Sequence, residues 1–295
     1  MASLKDIKRH IVAVKQTQKL TKAMNMVAAA KLRSTQNRTE RFRFYAQEHY
    51  RLITEIGRRA TEVGTPLLAD CPEAKKVLIM TFTSDRGLCG SYNTNVISKT
   101  LSQIRSFRDQ GLASDLYVVG RKGYDYFNRY RLANIVESIV GETGVFDYDK
   151  AREVTNKLIE YYRDGQYQEI ILCYTAFKSL TRHVVTVERF LPLVEDTHHH
   201  HEMVSFEESQ NYTIEPKPRE LLNRLIPRSL SIMVYRALLE SVTSENAARM
   251  QAMDNASKSC KDIITNLTMA FNKARQAAVT NELLDIVNGA EALRG

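Results

Sequence analysis

The chain has no tryptophan, six prolines, twelve glycines and four cysteines among 295 residues, and each scarcity excludes something. Cys71, Cys89, Cys173 and Cys260 are scattered, with no close pair of the kind that makes a zinc site or a redox dithiol, so reduced, separately placed thiols are expected. No stretch approaches the roughly 18 uninterrupted apolar residues of a membrane span, and the start MASLKDIKRH lacks the apolar core of a secretory signal. A folded chain working inside a cell or organelle is expected. Histidine offers no HExxH pair, and HHHH at 198–201, flanked by Glu195, Asp196 and Glu202, reads as a solvated loop rather than a metal tract. Acidic residues are nearly missing from the N-terminus. Between Met1 and Thr39 nine Lys/Arg stand against Asp6 alone, an excess equal to the formal net charge of +8 of the whole chain. Such a segment seeks an acidic partner, whether nucleic acid, anionic lipid or an acidic protein surface.

The few prolines and glycines are also unevenly placed. All six prolines (Pro66, Pro72, Pro192, Pro216, Pro218, Pro227) fall between 66 and 227, and outside that interval the only glycines are Gly57, Gly64, Gly289 and Gly295. Two long segments free of helix breakers therefore flank a punctuated middle. Stepping by three and four from Ile232 gives Tyr235, Leu239, Val242, Asn246, Arg249, Met253, Ala256, Cys260, Ile263, Leu267, Ala270, Ala274, Ala277, Asn281 and Leu284. That 3.5-residue seam predicts a helix over 228–287, roughly 90 Å long at ~1.5 Å per residue, supercoiled against a partner. Leu4, Ile7, Ile11 and Val14 begin the same alternation, which softens through Gln18 and Thr21 to Ala28 and Leu32. A seam rich in Ala, Thr, Asn and Gln lets helices approach closely but buries little per heptad, so surroundings must help hold the pair. Two ordinary amphipathic helices of a bundle would give part of the same pattern.

Between these segments, KKVLIMTF (75–82), SDLYVVG (114–120), ANIVES (133–138), YQEIILCYTAF (167–177) and HVVTVERFLP (183–192) read as strands. They alternate with helical stretches near 92–108, 123–130 and 150–163. The fold class is α/β: a long antiparallel coiled coil of N- and C-terminal helices with an inserted Rossmann-like α/β domain of three layers, its parallel sheet carrying an antiparallel hairpin.

Candidate chemistry centres on SDRGLCG (84–90), where the first strand runs into a glycine turn. Walker A needs a longer loop ending in Lys-Ser/Thr, and the dinucleotide fingerprint needs a third glycine where this chain has Ser91, Tyr92 and Asn93. Backbone amides at the following helix start remain available to an anion. As a nucleophile Cys89 would need a base and an orienting group; His183 and Asp85 exist, but their spacing suggests no triad. The structural reading is that Gly87 and Gly90 allow a tight turn, Cys89 packs as a small apolar group, and Arg86 and Asp85 bind a neighbouring backbone or subunit. Tyr117, Tyr124, Tyr126, Phe127 and Tyr130 beside Arg121, Lys122, Arg129 and Arg131 read as a packed helix with a basic outer face rather than a base-stacking surface.

At the termini the letters become specific. KQTQKLTKAMNMVAAAKLR (15–33), SDRGLCGSYN (84–93), SENAARMQAMDNAS (244–257) and FNKARQAAVTNELLDIVNGAEAL (271–293) resemble, in order, stretches of the gamma subunit of rotary F-type ATP synthases. The resemblance spans almost the whole chain. It implies a non-catalytic central-stalk rotor without cofactor or metal, with an N-terminal coiled-coil helix at 1–60, an α/β foot domain at 75–205 and a C-terminal coiled-coil helix at 215–287. The coil would stand inside a ring of three alpha and three beta subunits, with its foot beside the epsilon subunit and the membrane c-ring. Ion-driven rotation would take the beta sites in turn through binding, synthesis and release of ATP. By position in the matched stretches, Met24, Glu245 and Arg249 would lie near acidic loops of beta. Arg275, Gln276, Thr280 and Glu282 would meet the beta loops that grip the upper shaft, and Arg86, Gly87, Cys89 and Gly90 would form a structural turn.

Without paired cysteines in the middle domain, the thiol-regulated insertion of chloroplast forms is not expected. With no transit peptide visible, a bacterial chain at the cytoplasmic face of the inner membrane is expected. The competing reading is a basic coiled-coil nucleic-acid binder, which would need Lys5 to Arg38 and weaken steeply with salt.

Overall fold

Residues 4–56 contain neither glycine nor proline, and they belong to one helix, α1 (Leu4–Arg59). The structure, a computed structural model, describes residues 4–59, 67, 73–144, 146–193 and 218–292. Cys71, the HHHH tract and the acidic stretch at 195–208 lie outside the described residues. After α1 come β1 (Lys76–Phe82), α2 (Tyr92–Asp109), β2 (Ala113–Val119), α3 (Arg121–Tyr130), β3 (Asn134–Ile139), α4 (Tyr148–Arg163), β4 (Glu169–Phe177), β5 (His183–Leu191) and α5 (Pro218–Ala292). Each lies within a few residues of its sequence expectation except the start of α5. The sequence pattern places that start after Pro227, yet the helix begins at Pro218 and carries Pro227 inside. An interior proline costs about 3 kcal/mol. Ile226, Leu230 and Val234 around it are buried in the main core, at about 1.5–3 kcal/mol each, so packing carries the helix through the break.

The sheet order is β3-β2-β1-β4-β5, with the first four strands parallel and β5 antiparallel to β4. Strand alternation assigns the layers. Leu78, Met80 and Phe82 point to the face covered by α4 and α5, and Val77 and Ile79 to the face covered by α2 and α3.

The chain divides into two units, Met1–Ala30 with Arg249–Gly295, and Lys31–Ala248. In the first unit the less exposed positions of α1 are Leu4, Ile7, Ile11, Val14, Gln18, Thr21, Met24, Asn25, Ala28 and Ala29, close to the expected alternation. Gln18 donates to the Ser257 carbonyl (3.4 Å) and Asn25 to the Met250 carbonyl (2.8 Å), so the helices run antiparallel. The seam of α5 departs from expectation in one respect. Met253, Ala256, Cys260, Leu267 and Ala274 lie on it, but Ile264, Phe271 and Ala278 take the places expected for Ile263, Ala270 and Ala277, which are exposed. A 3.5 repeat does not say whether the three-step or the four-step comes first, and apolar neighbours such as Ile263 and Ile264 leave that phase open.

In the second unit the remaining parts of α1 and α5 pack side by side, also antiparallel. The Thr39 and Thr243 hydroxyls meet at 2.9 Å, and His49 Nδ1 lies 3.1 Å from the Ser229 hydroxyl.

Candidate functional site

The turn after β1 is a self-contained knot of hydrogen bonds. Asn93 Oδ1 accepts from the Ser84 amide (3.0 Å), and Asn93 Nδ2 donates to Cys89 Sγ (3.2 Å). Cys89 is buried as expected, though as a hydrogen-bond acceptor as well as a packing group. The left-handed positions are Gly90 (φ 58°) and Leu88 (φ 63°), so Gly90 serves the turn as expected whereas Gly87 does not. A Cβ at Gly87 would meet only Lys122 Cε, at an ordinary 3.7 Å. Arg86 is exposed at the lip of the turn.

Asp85 holds the turn to its surroundings. Its carboxylate accepts from the amides of Arg121 (3.1 Å), Gly141 (2.7 Å) and Thr143 (3.1 Å) and from the Thr143 hydroxyl, tying the β1–α2, β2–α3 and β3–α4 connections together. Burial alone would raise its pKa; the Thr143 hydroxyl and the three amides outweigh that and hold it below the usual carboxylate value. The stabilisation is therefore complete above the ordinary carboxylate pKa and is lost as pH falls through the lowered one. Asp85→Asn is expected to lower stability at pH 7 by about 1–2 kcal/mol. In urea titrations from pH 7 to pH 3, the gap to the parent chain should close only below pH ~4.

No nucleophile–base pair is assembled here. Asp85 is committed to backbone amides, and His183 pairs with Phe177 in the β4–β5 hairpin. At the opening of α2, Tyr92 N bonds Cys89 O and Asn95 N bonds Ser91 O. The crevice beyond the carboxyl ends of β1 and β4, where open α/β sheets take ligands, is occupied by α5. There Ser244 donates to the Thr175 carbonyl (3.2 Å), and Tyr92 packs fully buried beside Ser241 and Glu245. Burial first, and then the Glu245 carboxylate, raise the Tyr92 pKa.

Below that crevice α5 is fixed to the sheet by charge. Arg236 contacts both oxygens of Glu188 on β5 (2.5 and 2.6 Å), and the Tyr174 hydroxyl donates to the same carboxylate (2.9 Å). Arg43 reaches Glu240 (3.4 Å) and the Phe177 carbonyl (3.3 Å), adding α1 to the joint. Sequence reading does not find this cluster, because its residues are far apart in the chain and carry no spacing signal. On the opposite face α3 buries Gly123 and Phe127 and leaves Arg121, Lys122, Arg129 and Arg131 exposed, the packed helix with a basic rim that the sequence leads one to expect.

The remaining expected contact residues are distributed over the helices. Met24 and Arg249 are half-buried in the first unit, on nearly the same level of the helix pair, while Glu245 is half-buried in the second, near Tyr92. Arg275, Gln276, Thr280 and Glu282 are exposed on α5. The Gln18–Ser257 and Asn25–Met250 register puts Leu4 at the level of residue 271, so among the described residues α5 beyond that level has no partner from α1. Val279, Leu283, Leu284, Ile286 and Val287 are exposed there. No helix among the described residues is long and apolar enough to cross a membrane.

The sequence pattern of the family described as ATP synthase matches residues 3–293. The ATP synthase gamma chain of Nitratidesulfovibrio vulgaris Hildenborough is 42% identical over 295 residues, covering all of both chains. That of Moorella thermoacetica is 42% identical over 296 residues, again covering both completely. Among solved structures, a chain of the Tetrahymena thermophila mitochondrial ATP synthase central stalk and c-ring is similar with a TM-score of 0.58 and 26% identity, over 81% of this chain and 99% of that one. A chain of the Euglena gracilis mitochondrial ATP synthase shares the fold, with a TM-score of 0.68 at 18% identity over 98% and 94%.

Proposed function

The chain belongs to the gamma-chain family of the ATP synthases, and from that premise we propose how its parts divide the work of a rotor. It is a non-catalytic central-stalk subunit whose partners are the other subunits of the synthase; the catalytic sites lie on beta. Its association with the membrane comes through that assembly, at the cytoplasmic face of a bacterial inner membrane.

Residues 1–60 and 215–287 form the two arms of the shaft and 75–205 its foot. The observation that carries this reading is the bare end of α5. A helix with exposed Val279, Leu283, Leu284, Ile286 and Val287 and no mate among the described residues needs a surrounding sleeve, which a ring of alpha and beta subunits provides. The sleeve also supports a seam in which, among the described residues of the first unit, only Thr21, Ala28, Met253 and Cys260 are buried. Arg275, Gln276, Thr280 and Glu282, exposed on the bare end or just below it, are placed to meet beta. Met24 and Arg249, with Glu245, would face its acidic loops beside the exposed lysines of α1, so moving charge contacts add to steric push. Arg86, Cys89 and Gly90 shape the turn that locks the foot. At the foot the epsilon subunit and the c-ring would bind.

The test is co-expression with alpha and beta, comparing the full chain with one ending before Phe271. One copy of this chain per complex is expected, with rotation-coupled ATP turnover reduced to a minor fraction by the truncation. Failure of any complex to form, or full coupling in the truncated form, would overturn the assignment of the shaft.

A further inference from the structure

The end of α3 carries a pattern that the packing of the foot does not use. Residues 129–132 read Arg-Tyr-Arg-Leu, and all four are exposed, Tyr130 at 56% and Leu132 at 41%. Tyr126 lies 4.8 Å from the Tyr130 ring and steadies it. Arg131 is the C-cap of the helix and sits in the left-handed region (φ 46°, ψ 42°), where glycine is the usual residue. An arginine there strains the backbone, yet among the described residues its side chain has no hydrogen bond or ion pair to account for it.

Topology gathers more positive charge around this cap. Strands β1, β2 and β3 are parallel neighbours, so the start of β1 and the reversals leading into β2 and β3 share one edge of the sheet, within about 10 Å. Lys75 precedes β1, Arg108 ends α2 before β2, and Arg129 and Arg131 end α3 before β3. Segments 105–113 and 128–134 hold one acid, Asp109, against Arg105, Arg108, Arg129 and Arg131. Among the described residues none of these arginines, nor Lys75, pairs with a carboxylate, whereas Lys76 pairs with Asp115 at 3.3 Å.

Helix α5 gives the edge a direction. Arg236 meets Glu188, which lies opposite Leu172, and Ser244 meets Thr175, so α5 and β4 advance the same way. The basic edge, at the starts of the strands, therefore lies toward the start of α5. In the rotor reading that is the side of the foot turned to the membrane.

We propose that this edge binds the headgroups of anionic lipids beside the c-ring, a contact additional to those with protein subunits. Negative headgroups attract unpaired Arg and Lys near a bilayer. Tyr130 and Leu132, set among the arginines, supply the amphipathic ring and the apolar group that settle at headgroup level. The cations project from three separate reversals and not from one helix face, which suits a fluid surface whose charges move to meet them. The proposal rests on the rotor reading for its orientation.

Synthase carrying Tyr130→benzoylphenylalanine in this chain, reconstituted in vesicles of phosphatidylglycerol and phosphatidylcholine, would be irradiated and adducts at position 130 weighed by mass spectrometry. A phospholipid adduct is expected. The complex of this chain with alpha and beta, without the c-ring, would be floated with the same vesicles. Arg129→Gln with Arg131→Gly should lower its partitioning about tenfold or more, at roughly fivefold per cation. Glycine relieves the left-handed cap, so a folding defect would not explain the loss. Lys178→Gln with Arg182→Gln, exposed at the other end of the sheet, removes the same charge and should change little. Equal loss in both pairs, equal binding to phosphatidylcholine alone, or an adduct with another subunit, with residues 194–217 or with nothing would overturn the proposal. In those cases a synthase that assembles and turns over ATP leaves the rotor reading standing; failure to assemble would remove that reading and the proposal with it.

Discussion

Gly120→Ala is expected to prevent the foot from folding stably, at a cost of about 4 kcal/mol or more, in the range that marks a disrupted core. Gly120 sits between β2 and α3 with φ 96° and ψ 140°, a conformation that side chains with a Cβ rarely adopt. A Cβ there would lie 2.1 Å from the Thr83 carbonyl oxygen, a backbone atom. Moving it would disturb three bonds at once: Thr83 N to Val119 O (2.8 Å), the Thr83 hydroxyl to Val119 O (2.9 Å), and Gly123 N to the Thr83 hydroxyl (2.9 Å). Gly144→Ala makes the control, since a methyl group there would have nothing within 4 Å and its φ is not left-handed. Expression yield and urea midpoint compare the two. Equal midpoints would show that β2 and α3 adjust at little cost.

Arg236→Met should cost about 3–5 kcal/mol, because it leaves the Glu188 carboxylate, only 5% exposed, without its cation. The Tyr174 hydroxyl still donates to it, but a neutral hydroxyl does not replace a guanidinium that contacts both oxygens. A second change, Glu188→Leu, should then recover much of the loss, since a buried pair replaced by apolar groups is often no less stable. Thermal unfolding of the four proteins of this cycle measures the coupling. If Arg236→Met alone were neutral, the attachment of α5 to the sheet would rest on apolar packing and not on this pair.

What the sequence makes legible follows from the range of each force. Strands β1 and β4 stand out because both their faces are buried and their apolar runs are continuous. The helices stand out because breakers are missing over long distances. The buried face of α1 is readable from its start, since Leu4 and Ile7 have polar neighbours on both sides. On α5 the doublet Ile263–Ile264 removes that contrast, and the phase is lost there. Pro227 misleads because a local penalty is visible in the letters while the compensating burial of Leu230 and Val234 is not. Arg236, Glu188 and Tyr174 meet only through the sheet, and no spacing announces them. In SDRGLCG the glycines draw the eye to Gly87, whereas the chain bends at Leu88 and Gly90. The residue that ties that turn to the two neighbouring connections, Asp85, is the aspartate between Ser84 and Arg86.

The occupied crevice between β1 and β4 has a kinetic meaning. A free ligand leaves its site at some rate and can be displaced by a competitor. α5 belongs to the same chain as the sheet it fills, so its local concentration is fixed by chain connectivity and not by supply. A joint of this kind has no dissociation step to wait for and nothing to saturate. The sheet that elsewhere holds a molecule for one turnover here holds its own axle through all of them.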